Sequence, residues 1–315
     1  MFNKITDELL PILAGLFVAT IFGFSFLFTK EGLEVLAPFH LLGFRFAIAA
    51  IILTVLKILG IIKVNFRGKK LGVLLLLTTF QPVAYFIFET LGVQITSSSE
   101  AGMMIALIPI FVTILAAVFL KEIPSKQQVI FITISVVGVL FIIVMKGNLD
   151  VKGQLKGLFI LLGAVISGGI FNILSRKLSL KFKPVEITYI MMVIGAVVFN
   201  GISIIQHIGA GMLKQYFQPL ENLNALIAII YLGVLSSVLA FFLLNFMLSK
   251  IEASRSAVFT NLTTVISIIA GVVFRDEPFY WFHIIGGGLI LLGVWGTNYY
   301  GNYEPKKVVS RTYKT

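Results

Sequence analysis

Residues 96–122 read TSSSEAGMMIALIPIFVTILAAVFLKE, and this stretch decides the fold. It opens with small hydroxyl side chains and an acid, continues through an apolar run long enough to cross a bilayer, and ends in a Lys-Glu pair. A second version occurs at 251–277, IEASRSAVFTNLTTVISIIAGVVFRDE. When the two are aligned without a gap, Glu122 falls on Glu277, and further matches follow at the same offset. This constant offset predicts a duplicated membrane unit.

The composition is that of an integral membrane protein. Of the 315 residues, 58% are hydrophobic and 12% are charged, and the mean hydropathy is +1.01. A soluble globular chain has about 25% charged residues. Apolar runs of about 20 residues recur, and each can cross the roughly 30 Å hydrocarbon core as a helix. The chain has no cysteine, which excludes disulfides and thiolate metal sites.

The apolar runs and the basic residues together predict a topology. Ten spans are expected, at approximately 10–29, 38–61, 70–93, 99–120, 126–145, 155–175, 185–206, 224–247, 254–274 and 280–300. An even number puts both termini on one side, and most of the 25 Lys and Arg residues lie on that side. The positive-inside rule therefore predicts that both the N-terminus and the C-terminus are cytoplasmic. The net charge of +11 then reflects topology and contact with anionic lipid, and no nucleic-acid partner is expected.

Five spans per half is an odd number, so the second copy must enter the membrane from the opposite side. We therefore predict an all-α membrane protein with ten transmembrane helices arranged as two inverted five-helix repeats. The repeats would occupy 1–150 and 151–303, followed by a polar cytoplasmic tail at 304–315. Many secondary transporters are built this way, because two near-equivalent arrangements give inward-open and outward-open states of similar energy.

Short motifs recur in the same order in the two halves. The first half contains 26–30, Pro38, Arg45-Phe46, 97–101, Pro109, Glu122 and Gln128, and the second contains Pro184, 254–257, Glu277-Pro278 and the run GGGLILLGVWG from Gly286. Together these motifs resemble the EamA-type repeat of the drug/metabolite transporter superfamily over nearly the whole chain. The resemblance implies a central cavity and movement of small metabolites, often outward, by exchange or driven by an ion gradient. Thr264 stands in the place of Pro109, which predicts that helix 9 is straighter than helix 4.

Helix 3 offers a polar face. Gln81, Tyr85 and Glu89 are one helical turn apart, so they share one side of the helix. Lining of a cavity explains an amide, a phenol and a carboxylate better than lipid contact does, and burial against another helix is the alternative. Arg45 lies inside span 2, where a charge is costly unless paired. Glu89 lies at a similar depth in helix 3, so the two side chains could pair, and the pair, or an Arg45 that reaches the headgroups, could be a packing device. The functional interpretation is that Glu89 senses protons or substrate amino groups while Arg45 attracts a carboxylate.

The other candidates come from intramembrane polar and aromatic positions. The substrate cavity is predicted between helices 1, 3 and 4 of one half and 6, 8 and 9 of the other. The candidate cavity residues are Gln81, Tyr85, Glu89, Asn245, Asn172, Asn261 and Phe24, and the candidates for electrostatic support or coupling are Arg45, Glu89, Glu100 and Arg255. Hydrogen bonding between helices is the alternative for each Asn. Glu122 and Glu277 are interpreted as charges that fix helix ends.

Several activities are not expected. The three histidines show no ligand spacing, and phosphate-binding, zinc-protease and hydrolase motifs are missing, so we expect no metal, no cofactor and no enzymatic activity. An intramembrane enzyme would need a paired acid and base, or metal ligands, at one depth.

The predicted function is secondary active transport by alternating access in the plasma (inner) membrane of a prokaryote. The expected cargo is an amino acid or related small metabolite moving outward, with a proton or a counter-substrate as possible coupling partner. Uptake of a sugar or nucleobase and a non-saturating channel are the alternatives. Monomer and homodimer are both left open.

Overall fold

The protein is a bundle of helices. The structure, a computed structural model, describes residues 2–96, 98–146, 153–276 and 279–300. Numbered in chain order, its helices are α1 (Phe2–Leu33), α2 (Pro38–Ile58), α3 (Gly72–Ile95), α4 (98–120), α5 (Lys126–Lys146), α6 (Gly153–Leu178), α7 (Pro184–Gly209), α8 (Leu223–Lys250), α9 (Ala253–Arg275) and α10 (Trp281–Tyr299). Two short 3₁₀ turns, Leu213–Gln215 and Gln218–Glu221, connect α7 to α8. The described residues contain no β-strand, which confirms the all-α prediction.

Within the described ranges, seven helices are long and apolar enough to cross a bilayer: α1, α2, α3, α6, α7, α8 and α9. The other three coincide with predicted spans but are not among these seven. Helix α4 contributes a shorter apolar segment, Ile108–Leu120, and α5 contributes Lys126–Ile142. The ten-span arrangement therefore remains a prediction.

Large apolar side chains cover the outside of the bundle. Phe17 is 60% exposed, Val197 66% and Ile205 71%. Soluble monomers rarely expose contiguous apolar surface of this kind, whereas hydrocarbon tails would cover it in a bilayer. The surface thus agrees with the composition in indicating a membrane protein.

The helices pack in pairs that correspond between the two halves. The main pairs are α5 with α10, α2 with α7, α1 with α9, α4 with α6, α3 with α6, and α1 with α8. If each helix is replaced by its counterpart in the other half, five places away in the chain, the pair α1–α9 becomes α6–α4 and the pair α3–α6 becomes α8–α1. The pairs α2–α7 and α5–α10 map onto themselves. The helix pairings of one half therefore correspond to those of the other.

Glycines let two of these pairs approach closely. A Cβ on Gly15 of α1 would lie 2.8 Å from the ring of Phe259, and a Cβ on Gly23 would lie 2.5 Å from Ile266, so α1 rests directly on α9. On α10, a Cβ at Gly293 would lie 2.6 Å from the backbone oxygen of Phe131 in α5. Small residues at such positions are the usual means of bringing membrane helices together.

Helices α4 and α9 differ in continuity although they are copies in the sequence. Helix α4 is built from Ser98–Ile105, Ile108–Leu115 and a π-helical end, Ala116–Leu120, whereas α9 runs unbroken from Ala253 to Arg275. Pro109 lies just after the interruption in α4, where it has no amide hydrogen to continue the helical hydrogen bonding. Thr264 keeps that amide in α9. Helix α9 is thus the more continuous of the two, which agrees with the prediction that helix 9 is straighter.

The ends of α4 and α9 nevertheless have matching geometry. Lys121, after α4, and Asp276, after α9, adopt left-handed backbone angles with φ of 57° and 53°. The helices that follow also start alike. The Gln128 side chain accepts the backbone N–H three residues before it at 2.8 Å, and His283 does the same at 3.1 Å. Sequence copies that are not identical thus build one local structure.

Candidate functional site

A buried cavity lies between helices of both halves and has a volume of about 50 Å³. Its walls come from α1, α2, α3 and α4 of the first half and from α6, α8 and α9 of the second. Phenylalanine rings form much of the apolar wall: Phe22, Phe26, Phe86 and Phe241. The polar lining groups are Ser25, Arg45, Gln81, Tyr85, Glu89, Asn172, Thr260 and Thr263. This is the region between helices 1, 3, 4, 6, 8 and 9 in which the sequence places the cavity, with Arg45 added from α2.

Helix α3 brings Gln81, Tyr85 and Glu89 to the cavity together. The helix is not regular there, because residues Thr79–Ala84 form wide π-helical turns and Gln81 has extended angles, φ −147° and ψ 118°. Pro82 follows Gln81, and a residue before proline is disfavoured in the helical region. Gln81 is 5% exposed and Glu89 is 2% exposed, so both polar groups are held away from lipid.

Arg45 does not bond Glu89, although both side chains line the cavity. Its Nε and Nη2 each donate a 2.8 Å hydrogen bond, to the hydroxyls of Ser237 and Ser236 respectively. Its guanidinium also lies 4.2 Å from the centre of the Phe86 ring, within the range of a cation–π contact. The direct ion pair that the sequence allowed is therefore not formed, because two serines of α8 and an aromatic face satisfy the cation instead.

Two hydrogen-bond acceptors of the cavity, on Glu89 and Asn172, have few partners within the protein. The carboxylate of Glu89 accepts a hydrogen bond of 3.1 Å from the hydroxyl of neighbouring Thr90. The Asn172 amide donates to the backbone oxygen of Gly168 at 2.8 Å, while its Oδ1 is buried and has no hydrogen-bond partner. A carboxylate and an amide oxygen can therefore receive hydrogen bonds from a ligand in the cavity.

Two of the predicted cavity residues lie elsewhere and connect helices. Asn245 accepts from the hydroxyl of Ser175 at 2.6 Å and donates to Thr188 Oγ1 at 3.0 Å, which ties α8 to α6 and α7. Asn261 donates to Ser135 Oγ at 2.5 Å, which ties α9 to α5. For these two residues, the alternative interpretation of hydrogen bonding between helices describes the structure.

The remaining candidates are also outside this cavity. The ring of Phe24 packs edge-on against Phe274, with 6.0 Å between centroids, and lines a separate groove beside α8. Arg255 is buried and donates to the backbone oxygen of Asn298 at 3.1 Å, so it joins α9 to α10. The side chain of Glu100 lies outside the described part of the structure.

A basic side chain at the end of the first helix of each half binds the end of the third. Lys30 of α1 donates to the backbone oxygens of Val93, Gln94 and Thr96 at the end of α3, at 2.9, 3.2 and 2.6 Å. The carboxyl end of a helix leaves carbonyl oxygens without intrahelical partners and carries partial negative charge. The Lys30 ammonium donates hydrogen bonds to these carbonyl oxygens, and its positive charge compensates the partial negative charge of the helix end.

The second half repeats this joint. Arg176 of α6 donates to the Leu248 oxygen near the end of α8 at 2.9 Å. Its Nε also donates to Glu122 at 2.8 Å, and the other Glu122 oxygen accepts the Ala253 amide at the start of α9 at 2.9 Å. Glu122 therefore fixes helix ends, as interpreted from the sequence, whereas Glu277 lies outside the described residues.

Beside this joint, Glu252 precedes α9 and accepts a 3.4 Å hydrogen bond from the side chain of Gln128. Burial raises the pKa of the Glu252 carboxyl, and the nearby charge of Glu122 raises it further, while the bond from Gln128 opposes both. The site thus favours the protonated acid more than an exposed glutamate would.

Two serines that hold Arg45 and two threonines that line the cavity were not predicted from the sequence. Ser236 and Ser237 are small hydroxyls in an apolar run, YLGVLSSVLA, and the run forms π-helical turns. A pair of serines in such a segment was a visible signal, but π-helical turns change the direction of side chains relative to an α-helix. Thr260 and Thr263 are one turn apart on α9 and gave no comparable signal.

Comparison with known proteins agrees with this architecture. The EamA-like transporter family matches residues 9–144 and again 155–299. The chain is 42% identical over 286 residues to the uncharacterized transporter YcxC of Bacillus subtilis (strain 168), with 91% of this chain and 92% of that protein covered. It is 29% identical over 278 residues to an uncharacterized transporter of Archaeoglobus fulgidus, with 88% and 94% covered.

One crystal structure of a protein shares the fold, with a TM-score of 0.73 at 15% identity, covering 91% of this chain and 97% of that one. The family match spans both halves of the chain, and the relatives are transporters by name. The molecule is accordingly a membrane transporter and not an enzyme, and it belongs to the EamA-like transporter family.

Proposed function

We propose that the protein is a secondary active transporter that works by alternating access. In this proposal, ten helices cross the plasma (inner) membrane of a prokaryote as two inverted five-helix repeats, 1–150 and 151–303, with 304–315 as a cytoplasmic tail. Both termini face the cytoplasm. Two observations support a pseudo-twofold relation between the halves. The basic side chains Lys30 and Arg176 bind corresponding helix ends, and the helix pairings correspond when each helix is replaced by the one five places away. An odd number of spans in each repeat then requires opposite orientations.

The observation that carries the proposal is the small cavity built from both halves. Its 50 Å³ has room for a few waters, since one water needs about 10–15 Å³ of such space. Ligand sites for small molecules are typically about 300–1,000 Å³. A metabolite can therefore bind there only after the halves separate, which is what alternating access requires.

The polar groups of the cavity support an amino acid or a related compound as cargo. The Glu89 carboxylate and the free Asn172 oxygen suit an ammonium group, and the remaining guanidinium nitrogen of Arg45 suits a carboxylate. The phenylalanine walls suit an apolar side chain. Export is proposed from the outward direction that the family resemblance implies, with a proton or a counter-substrate coupling the cycle.

The decisive experiment is a counterflow screen in proteoliposomes with labelled amino acids, sugars and nucleobases. We expect saturable uptake of a labelled amino acid. Unlabelled substrate inside the proteoliposomes should accelerate this uptake. Counterflow of a sugar or nucleobase alone would favour the permease alternative. Ion conductance without saturation or counterflow would favour a channel and overturn alternating access.

Proton coupling is tested separately with Glu89→Gln. The variant should lose the pH dependence of transport, whereas Glu34→Gln should keep it, because the Glu34 side chain is 57% exposed at the end of α1. Wild-type pH dependence in Glu89→Gln would remove the coupling role.

The orientation of the chain in the membrane can be tested by labelling single introduced cysteines. No native cysteine has to be removed first, because the chain has none. Single cysteines in place of Lys214 and Lys63 should react with an impermeant maleimide in intact cells only at position 214. Labelling at 63 and not at 214 would reverse the proposed topology.

A further inference from the structure

Two histidines that are far apart in the sequence meet at one end of the bundle. His40 lies in the first turn of α2 and His207 in the last turn of α7. Their ring centroids are 4.5 Å apart and the rings are nearly perpendicular, at 71°. The Tyr216 ring lies 4.5 Å from His40 and 5.0 Å from His207, so the connection between α7 and α8 covers the pair.

The hydrogen bonding of the two rings leaves nitrogen atoms available. His207 Nδ1 lies 2.8 Å from the backbone oxygen of Ser203. Because a carbonyl can only accept, Nδ1 carries the proton and Nε2 keeps its lone pair. Histidine ligands of metals commonly have this arrangement, in which the second nitrogen donates to a carbonyl. His40 is 3% exposed, and its Nε2 is buried without a hydrogen-bond partner.

The surroundings favour a cation. His40 and His207 line a wide pocket of about 740 Å³ that is separate from the central cavity. Its other polar lining consists mainly of amides, such as Gln206 and Gln215, together with the acid Glu221. Among the described lining residues none is lysine or arginine. The pocket is open enough for water to complete a coordination shell.

We propose that His40 and His207 bind a late divalent transition-metal ion such as Zn²⁺ or Cu²⁺. Imidazole nitrogens suit these ions, whereas Ca²⁺ and Mg²⁺ prefer oxygen ligands. The described residues hold no group of three or more His, Asp or Glu that fits a metal ion. The site is therefore a two-histidine site, with water in the remaining positions.

The sequence led us to expect no metal, because the three histidines lie in different helices. The fold changes that expectation for two of them and leaves the third, His283, at the start of α10, where it caps the helix through the Tyr280 amide. His283 therefore serves as a matched control for a histidine outside the site.

Binding is tested on purified full-length protein in detergent after treatment with a chelator, by calorimetric titration with Zn²⁺. The wild type should bind one equivalent. His207→Gln should bind about tenfold or more weakly, since it removes one of two protein ligands. His283→Gln should bind like the wild type. Wild-type protein without saturable binding, or His207→Gln with unchanged affinity, would overturn the proposal, as would equal loss in His283→Gln.

Cu²⁺ gives a second readout that does not depend on affinity. Its electron paramagnetic resonance spectrum should show coupling to two imidazole nitrogens in the wild type and to one in His207→Gln. Because His207 is only half-buried, this variant avoids replacing the buried His40 ring. A spectrum with no nitrogen coupling in the wild type would also refute the site.

Discussion

Replacement of Glu122 should weaken the junction of α4, α6 and α9. Its side chain is 7% exposed, and its two oxygens accept from Arg176 Nε at 2.8 Å and from the Ala253 amide at 2.9 Å. Glu122→Gln keeps the shape, but an amide offers only one acceptor oxygen, so its NH₂ group must face one of the two donors. The substitution also removes the counter-charge of Arg176.

The size of this effect follows from the geometry. Removing one partner of a fully buried ion pair costs about 3–5 kcal/mol. Arg176 is 17% exposed and keeps its 2.9 Å bond to the Leu248 oxygen, so its charge is not left without a partner. We therefore expect a loss of about 2 kcal/mol, close to the cost of leaving one buried polar group unsatisfied. This corresponds to roughly a 30-fold shift of the folding equilibrium.

The assay is reversible unfolding of the purified protein in mixed micelles, titrated with SDS. Glu34→Gln is the matched control. It also removes an acid from an ion pair, but Arg275 keeps its second partner, Glu31, and the Glu34 side chain is 57% exposed. An exposed pair of this kind should contribute less than about 0.5 kcal/mol. If the two variants lose the same stability, the structural role assigned to the Glu122 junction is wrong.

Three further predictions concern packing, pH and the cavity. Gly293→Ala should destabilise the protein by about 1–3 kcal/mol because its methyl group collides with α5. Gly287→Ala on the same helix meets nothing within 4 Å and should be neutral in the same SDS titration. The raised pKa of Glu252 means that its contribution to stability is full below the ordinary value of 4.5 and is lost as the pH rises through the folded-state pKa. Glu252→Gln mimics the protonated acid, so its stability relative to the wild type should improve with rising pH in unfolding measurements; a pH-independent difference would contradict this. Arg45→Lys keeps the charge but loses the forked geometry and ring contact, so its thermal melting temperature should fall, and an unchanged value would contradict the role of these contacts.

The repeat was readable from the sequence because helix ends carry local signals. Prolines at the starts of α2 and α7, and the matched positions Lys121 and Asp276, lie at fixed distances from apolar runs. These signals depend on neighbours along the chain. They survive exchange of one residue for another, such as Gln128 for His283, when both can accept a backbone N–H.

Side-chain partners across the bundle were harder to predict. Gln81, Tyr85 and Glu89 line the cavity, although the α-helical spacing that suggested a common face is interrupted by π-helical turns. Asn245 carries the same polar signal but bonds Ser175 and Thr188. Hydropathy shows that a polar group is buried, but it does not show whether a cavity or a neighbouring helix satisfies it.

The meeting of His40 and His207 was likewise beyond the sequence. The two residues are brought together by the packing of α2 along α7. No local pattern predicts which helix faces pack, because several pairings of ten similar apolar helices bury comparable surfaces.

The joints made by Lys30 and Arg176 bear on how the two halves could diverge. Their helix-end acceptors are backbone oxygens of Val93, Gln94, Thr96 and Leu248, which are present whatever side chain occupies those positions. Substitutions there leave the acceptor in place, and only the cation is constrained. A symmetrical architecture can therefore persist after most of the amino-acid identity between its halves has been lost.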